Sequence, residues 1–333
     1  MLPVMQLLLF GYAINMDPRN LSAGLADLAG TAASRQYVMD LSRSQVIDIK
    51  HQVGSAEALE ALMRAGHISV GIYLPPDFDR RLQQPDRAAG QLLIDGSDTV
   101  VQGAAAQLSA PGRTNPVHDR PPTLEIRTFY NPERRSPVNT VPGLIGIILT
   151  MTMTLFTAVA IVRERERGNL ELLITTPIRS WELMVAKILP YIFIGLIQAT
   201  LVFLLGDGLF RVPMRGEWLD AYAVILLFII ANLALGLMIS TLATNQFQAM
   251  QMTFFILLPS ILLSGFMFPF DGMPKAAQWI AEVLPMTHFM RLIRGVVLRG
   301  ADLWELRGEL AALGAFLVIA LTVSVRRFDK TLD

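Results

Sequence analysis

The chain has 333 residues, 53% hydrophobic and 17% charged, with 28 basic and 28 acidic side chains and zero formal net charge. Its mean hydropathy of +0.45 favours a membrane protein over a soluble one and leaves no basic excess for nucleic acid. Cysteine is absent, which excludes disulfides, thiolate nucleophiles and cysteine metal sites. His51, His67, His118 and His288 are scattered, and none sits in an HExxH pattern. They read as ordinary polar residues, and no metal site is expected.

Met1 to Ile14 is apolar but too short to span a bilayer. It lacks the basic leader and small-residue cleavage site of a signal peptide. A hydrophilic stretch of different composition follows, taken as a domain over residues 16–138. Leu21 to Leu28, Val46 to Ile49, Ile68 to Leu74, Leu92 to Ile94 and Leu124 to Tyr130 read as strands. Ser34 to Ser44, Ala56 to Ala65, Phe78 to Gln84 and Thr99 to Leu108 read as helices, with Ser55 and Asp77 as N-caps. Alternating strands and helices predict a small α/β domain. Ala110 to Pro122 is a proline-rich surface loop.

Val141 to Val162 is 22 residues without a charge, about 33 Å as a helix and enough to cross a hydrocarbon core of roughly 30 Å. Gly143 and Gly146 are small, and Thr150, Thr154 and Thr157 share a face. Such a stripe reads first as helix packing and second as a substrate-facing surface.

Arg163 to Lys187 joins this span to the next. Arg163, Glu164, Arg165, Glu166 and Arg167 mark where the span meets water. Leu170, Leu173 and Ile174 form an apolar stripe on a short helix, with Glu171 on its polar side. Pro177 ends that helix and restricts Thr176. Ser180 offers an N-cap for a helix from Trp181. Helix, break, helix with a free apolar stripe suits either a solvated loop with alternating charges or a docking element for a soluble partner.

Ile188 to Leu205, Ala221 to Ala243, Ala249 to Phe270 and Ala311 to Val325 are further spans. Gln198, Asn232 and Gln251 are polar positions within them, either functional or bonded to neighbouring helices. Between the last two, Lys275 to Leu284 and Thr287 to Arg299 read as amphipathic helices split by Pro285 and lying in the membrane interface. Arg163 to Lys187, the Thr244 loop and the tail hold eight Lys/Arg in about 40 residues; the opposite short loops hold seven in about 55. The positive-inside rule puts the first set in the cytoplasm.

Arg165-Glu166-Arg167-Gly168-Asn169-Leu170-Glu171-Leu172-Leu173, then Thr175-Thr176-Pro177, Ser180-Trp181-Glu182 and Lys187, resembles the cytoplasmic loop of type-2 ABC exporter permeases. Leu284-Pro285-Met286-Thr287-His288-Phe289, Arg294-Gly295 and Arg299-Gly300 resemble that family's outer re-entrant hairpin. The resemblance implies a multi-pass α-helical membrane protein of six spans with an inserted extracytoplasmic α/β domain. Residues 1–15 would be the second half of the first span, whose basic cytoplasmic start is not in this sequence. Residues 139–333 would hold five spans, with a coupling loop over 163–187 and an outer hairpin over 271–310. Arg165, Glu166, Gly168, Leu170, Glu171, Leu173 and Pro177 would be the footprint of an ATPase subunit. Glu164 and Glu166 would pair with partner arginines, or only with Arg163 and Arg167. Pro285, Phe289, Arg294 and Gly295 would shape the hairpin. The implied partners are ABC ATPase subunits, a second copy or a homologous permease, the bilayer of a bacterial inner membrane and a periplasmic adaptor.

A P-loop needs Gly-Lys-Ser/Thr to reach the phosphates and hold magnesium. Lys50, Lys187, Lys275 and Lys330 follow Ile, Ala, Pro and Asp, so none can close one. There is no GxSxG elbow or dinucleotide fingerprint. No cofactor is expected on this chain, and ATP and magnesium are assigned to the partner. The expected function is export of a hydrophobic or amphipathic substrate, with multidrug export preferred over lipid or polysaccharide export. The competing reading is a non-transporting receptor or assembly anchor that displays the domain. An intramembrane enzyme lacks paired acids or a nucleophile in the spans.

Overall fold

The computed structural model describes residues 20–84, 87–98, 101, 103, 124–133, 135–168 and 180–327. The first span, most of the helix expected over Thr99 to Leu108, the Ala110 to Pro122 loop and the Leu170 to Ile174 stripe lie outside these residues.

The hydrophilic stretch forms a five-stranded sheet of order β2-β1-β3-β4-β5. The strands are β1 (Leu21–Asp27), β2 (Ile47–Gln52), β3 (Val70–Leu74), β4 (Gly90–Asp95) and β5 (Leu124–Phe129). All pairings are parallel except β3 with β4. Helices α1 (Ala32–Arg43), α2 (Ala56–Arg64) and α3 (Phe78–Leu82) connect them. Leu41 of α1 and Phe78 of α3 join Leu21, Leu25 and Ile72 in one core, and Leu59 and Met63 of α2 join Ala26, Ile68 and Leu93 in a second. Covering both faces explains why β1 is buried almost throughout and carries no polar alternation. Thr31 caps α1 through a capping box with Ser34, and Ser55 caps α2. Asp77 makes no capping bond at α3. Its carboxylate pairs with Arg81 one turn on, at 2.9 Å, because an arginine fork outcompetes a backbone amide for it.

Five helices among the described residues are long and apolar enough to cross a membrane. They are α4 (Ser136–Glu166), α5 (Ser180–Gly208), α6 (Trp218–Leu242), α7 (Gln246–Leu263) and α10 (Arg307–Arg327). The centre is α6, whose Phe228, Ile229, Ala231 and Leu233 have no exposed surface. Its contact with α4 is close. A Cβ on Gly236 would lie 2.7 Å from the Thr154 carbonyl and 2.8 Å from the Thr157 Cβ. Only a glycine lets the two backbones approach this far. The fifth span is shorter than its apolar run, Ala249 to Phe270. The helix stops at Leu263 because Gly265 adopts φ +82, a left-handed conformation that terminates helices. Phe266 then turns back onto Gly143 of α4.

Between α7 and α10 lie α8 (Lys275–Val283), α9 (Pro285–Arg294) and a π-helical turn, Gly295–Arg299, closed by Gly300 at φ +65. The surface reading suits α8, where Trp279, Ile280 and Val283 are exposed. It fails for α9, in which eight of the ten residues from Pro285 to Arg294 are buried. Pro285 is the first residue of α9, a position where its missing N–H costs nothing. The ring of Phe289 stacks on Phe228 at 3.9 Å and 15°, with Gly146 of α4 directly beneath it. The amphipathic face of α9 meets helices rather than lipid.

Gly236→Ile should force α4 and α6 apart. Overpacking costs about 1–3 kcal/mol, and this site should lie at the upper end because backbone cannot yield. Thermal unfolding in detergent should show a clear drop in Tm, whereas Gly54→Ala, at an open position, should match the parent chain.

Candidate functional site

The charged end of α4 is tied to its neighbours. Arg165 donates to the Ala243 carbonyl just after α6. Glu166 accepts from the Gln246 amide at 2.8 Å and from its side chain. Arg163 Nε donates to Gln246 Oε1 at 3.2 Å, and Glu164 pairs with Lys187 on α5. The receiving turn is itself fixed, because Asn245 caps α7 through the Gln248 amide at 2.8 Å. Gln248 Oε1 in turn accepts from the amide and hydroxyl of Thr244. Within the chain, then, Glu164 and Glu166 bond to Lys187 and Gln246 rather than to Arg163 and Arg167. Gly168 ends the turn after α4 at φ +72. Leu170, Glu171, Leu173 and Pro177 lie outside the described residues. Gln246 was missed in the sequence because an amide at a helix start carries no pattern of its own.

The polar residues of the spans fall in three places. Thr150, Thr154 and Thr157 are buried on α4, and Thr154 and Thr157 lie against Gly236 of α6. Thr154 Oγ1 donates toward the Asn232 carbonyl at 3.3 Å, and Asn232 Nδ2 donates to the Phe228 carbonyl at 2.9 Å. Gln198 of α5 accepts from Thr152, a residue not singled out from the sequence, at 2.9 Å. Gln251 is exposed on α7 beside Met250 and Phe254. These residues do not line one common surface.

The densest charge cluster surrounds α9. His288 has a side chain only 7% exposed. Its Nδ1 lies 2.6 Å from Glu309 Oε2, and its Nε2 lies 2.9 Å from the Glu282 carbonyl. Both partners are acceptors, so the imidazolium, with two N–H groups, is the form that satisfies both. Burial opposes that charge, but the bonds to Glu309 and Glu282 outweigh it and raise the pKa above the usual histidine value. Arg291 bridges Glu282 at 2.6 Å and Glu309 at 3.0 Å and lies over the Phe270 ring. Arg294 reaches Asp98 of the sheet domain at 3.3 Å, and Arg299 reaches Asp95 at 3.6 Å. Gly66, at φ +79, lets the Arg299 guanidinium lie against the domain backbone, where a Cβ would be 2.8 Å from Nη1. Gly295 makes similar room for Leu306. His288 and Glu309 were not read as partners, since they are 21 residues apart and only the fold joins them. Among the described residues no group of acidic and histidine side chains could hold a metal ion.

The sequence matches the family described as ABC-2 family transporter protein over residues 1–326. It is 31% identical over 311 residues to the probable multidrug ABC transporter permease YbhS of Escherichia coli K12, covering 90% of this chain and 82% of that protein. It is 26% identical over 314 residues to the probable multidrug ABC transporter permease YbhR of the same organism, covering 91% and 84%. The inner membrane transport permease YhhJ, also from that organism, is 28% identical over 346 residues, covering 96% and 87%.

A raised histidine pKa stabilises the fold while the ring is charged. That stabilisation should be complete below the unfolded value of about 6.5 and should fade as pH rises through the higher folded value. Tm followed upward from pH 6 should therefore decline, and His288→Gln should lower the acid plateau and flatten the decline.

Proposed function

The chain belongs to the ABC-2 family of transporter proteins, and on that premise we propose that it is the permease subunit of an ATP-driven exporter. It would move a hydrophobic or amphipathic substrate out of the cell across a bacterial inner membrane. Two relatives named as probable multidrug permeases support drug-like cargo. ATP and magnesium would bind a separate ATPase subunit, since no lysine of this sequence can close a P-loop. A second copy or a homologous permease would complete the pathway. The sheet domain would face outward, and the Arg163 to Lys187 segment and the C-terminus would face the cytoplasm.

The observation that carries this reading is the bonding at the end of α4. The segment from Gly168 onward begins where four spans are linked, through Arg165 to the end of α6, Glu166 and Arg163 to α7, and Glu164 to α5. A partner pressing on that segment would move four helices together. Such rigid-element displacement is how nucleotide-driven work reaches a remote site. A solvated loop would need no such anchoring.

The test is ATPase activity of the membrane complex pulled down on this chain. Activity should co-purify, and Glu171→Arg should abolish it by reversing charge in the docking segment. Gln246→Ala should preserve pull-down of the ATPase but weaken substrate stimulation several-fold. A chain that purifies with no ATPase would defeat the proposal and favour an anchor displaying the sheet domain.

A further inference from the structure

A cavity of about 330 Å³ lies between the sheet domain and the α9 hairpin, within the size range of small-ligand sites. Arg294, Arg299, Lys50, His67 and Gly66 are among its lining residues. The two arginines differ from Arg291 beside them. Arg291 holds two carboxylates at 2.6 and 3.0 Å. Arg294 has one carboxylate contact at 3.3 Å, and Arg299 has one at 3.6 Å. Their side chains are only 12% and 9% exposed, and the Nε of each is buried without a hydrogen-bond partner. Arg294 Nη1 also donates to the Gly265 carbonyl at 3.1 Å and Arg299 Nη2 to the Arg291 carbonyl at 3.3 Å, but a guanidinium carries five N–H donors, and a buried Nε left unsatisfied is costly.

Charge within the cavity is balanced, because Asp95, Asp98, Asp271 and Glu309 also line it. Two of these are committed elsewhere. Glu309 is held by His288 and Arg291, and Asp271 accepts from the Ser22 hydroxyl at 2.9 Å. Asp95 accepts from the Ser97 amide at 2.8 Å, and burial raises its pKa despite Arg299 beside it. An oxyanion with three or more oxygens can meet guanidinium forks with more than one N–H each. Ser69 and Ser97 also line the same space.

We propose that this cavity binds a phosphate group, which exchanges with Asp98 and Asp95 for Arg294 and Arg299 and is met from the domain side by Lys50. The phosphate belongs either to a lipid head group or to a soluble phosphate. The adjacent α8 exposes Trp279, Ile280 and Val283, a residue set that seats at a membrane–water boundary, so a lipid head group is within reach. This inference rests on the membrane placement proposed above but not on ATP coupling, so it is tested without the ATPase.

Native mass spectrometry of the purified full chain would compare retention of phosphatidylglycerol with that of diacylglycerol, which has the same tails and no phosphate. A parallel thermal-shift series would use inorganic phosphate against chloride at equal ionic strength. Selective phosphatidylglycerol retention, reduced at least tenfold by Arg294→Gln or Arg299→Gln, identifies a lipid site. Phosphate-dependent stabilisation lost in the same variants, without lipid retention, identifies a soluble-phosphate site. Arg64→Gln, whose partner is Glu305 outside the cavity, should match the parent in both. Lys50 is exposed, so Lys50→Gln should fold normally and weaken binding about threefold, which keeps the test sound if an arginine variant fails to fold. The inference is overturned if neither assay distinguishes the phosphate-bearing ligand from its control, or if the arginine and Lys50 variants bind like the parent.

Discussion

The ring of Phe289, stacked on Phe228 over Gly146, seats the hairpin in the helical bundle. A buried phenylalanine removed to alanine costs about 3–5 kcal/mol. More important than the energy is what the ring positions. His288 is its chain neighbour, Arg291 and Arg294 follow within about a turn and a half, and Arg299 ends the π turn. If α9 lay on the surface, these charges would meet water and have no fixed partners. Held inside, they are placed against Glu309 of α10 and against Asp95 and Asp98 of the sheet domain.

That placement creates two kinds of ion pair with different consequences. The His288–Glu309–Arg291–Glu282 group is short and multiply bonded. Its coupling outweighs desolvation, so it acts as a weld between the hairpin and α10. The Arg294–Asp98 and Arg299–Asp95 contacts are long and single. Desolvation of such a pair is hardly offset, so these two contacts exchange readily, while Arg64–Glu305 at 2.8 Å and the Ser22 hydroxyl on Asp271 at 2.9 Å hold the domain beside them. A welded hairpin beside two long domain contacts lets the Arg294 and Arg299 side of the junction change partners while the rest of the domain stays attached.

The five described spans and the sheet were legible because each has a strong one-dimensional signal: hydropathy or alternation. The errors arose where three-dimensional context decides. The apolar run to Phe270 looked like one span because hydropathy does not register that Gly265 takes a left-handed turn. Thr287 to Arg299 has the periodicity of an interfacial helix, and periodicity alone cannot say whether lipid or helices cover the apolar face. His288 looked incidental, since its acceptors Glu282 and Glu309 come from separate elements. Thr154 and Asn232 were visible as polar positions, yet only the Gly236 crossing shows that they face each other.

One helix connects these features. At 31 residues, α4 is about 46 Å long and is gripped at three levels. Arg135, just before it, donates to the Phe210 carbonyl after α5; Gly143 and Gly146 accept the rings of Phe266 and Phe289; Arg163, Arg165 and Glu166 grip the α6–α7 turn. A rod held at both ends and the middle transmits tilt rather than absorbing it. Pro142 is the exception, because its ring removes one backbone bond and opens a point of bending. It lies on the domain side of both glycines, so displacement at Gly168 would reach Phe289 undiminished before any bend intervenes. Under the proposed function, force from the ATPase would arrive first at the hairpin. From there it would reach the loosely held Arg294 and Arg299 contacts, where the least work is needed to produce movement.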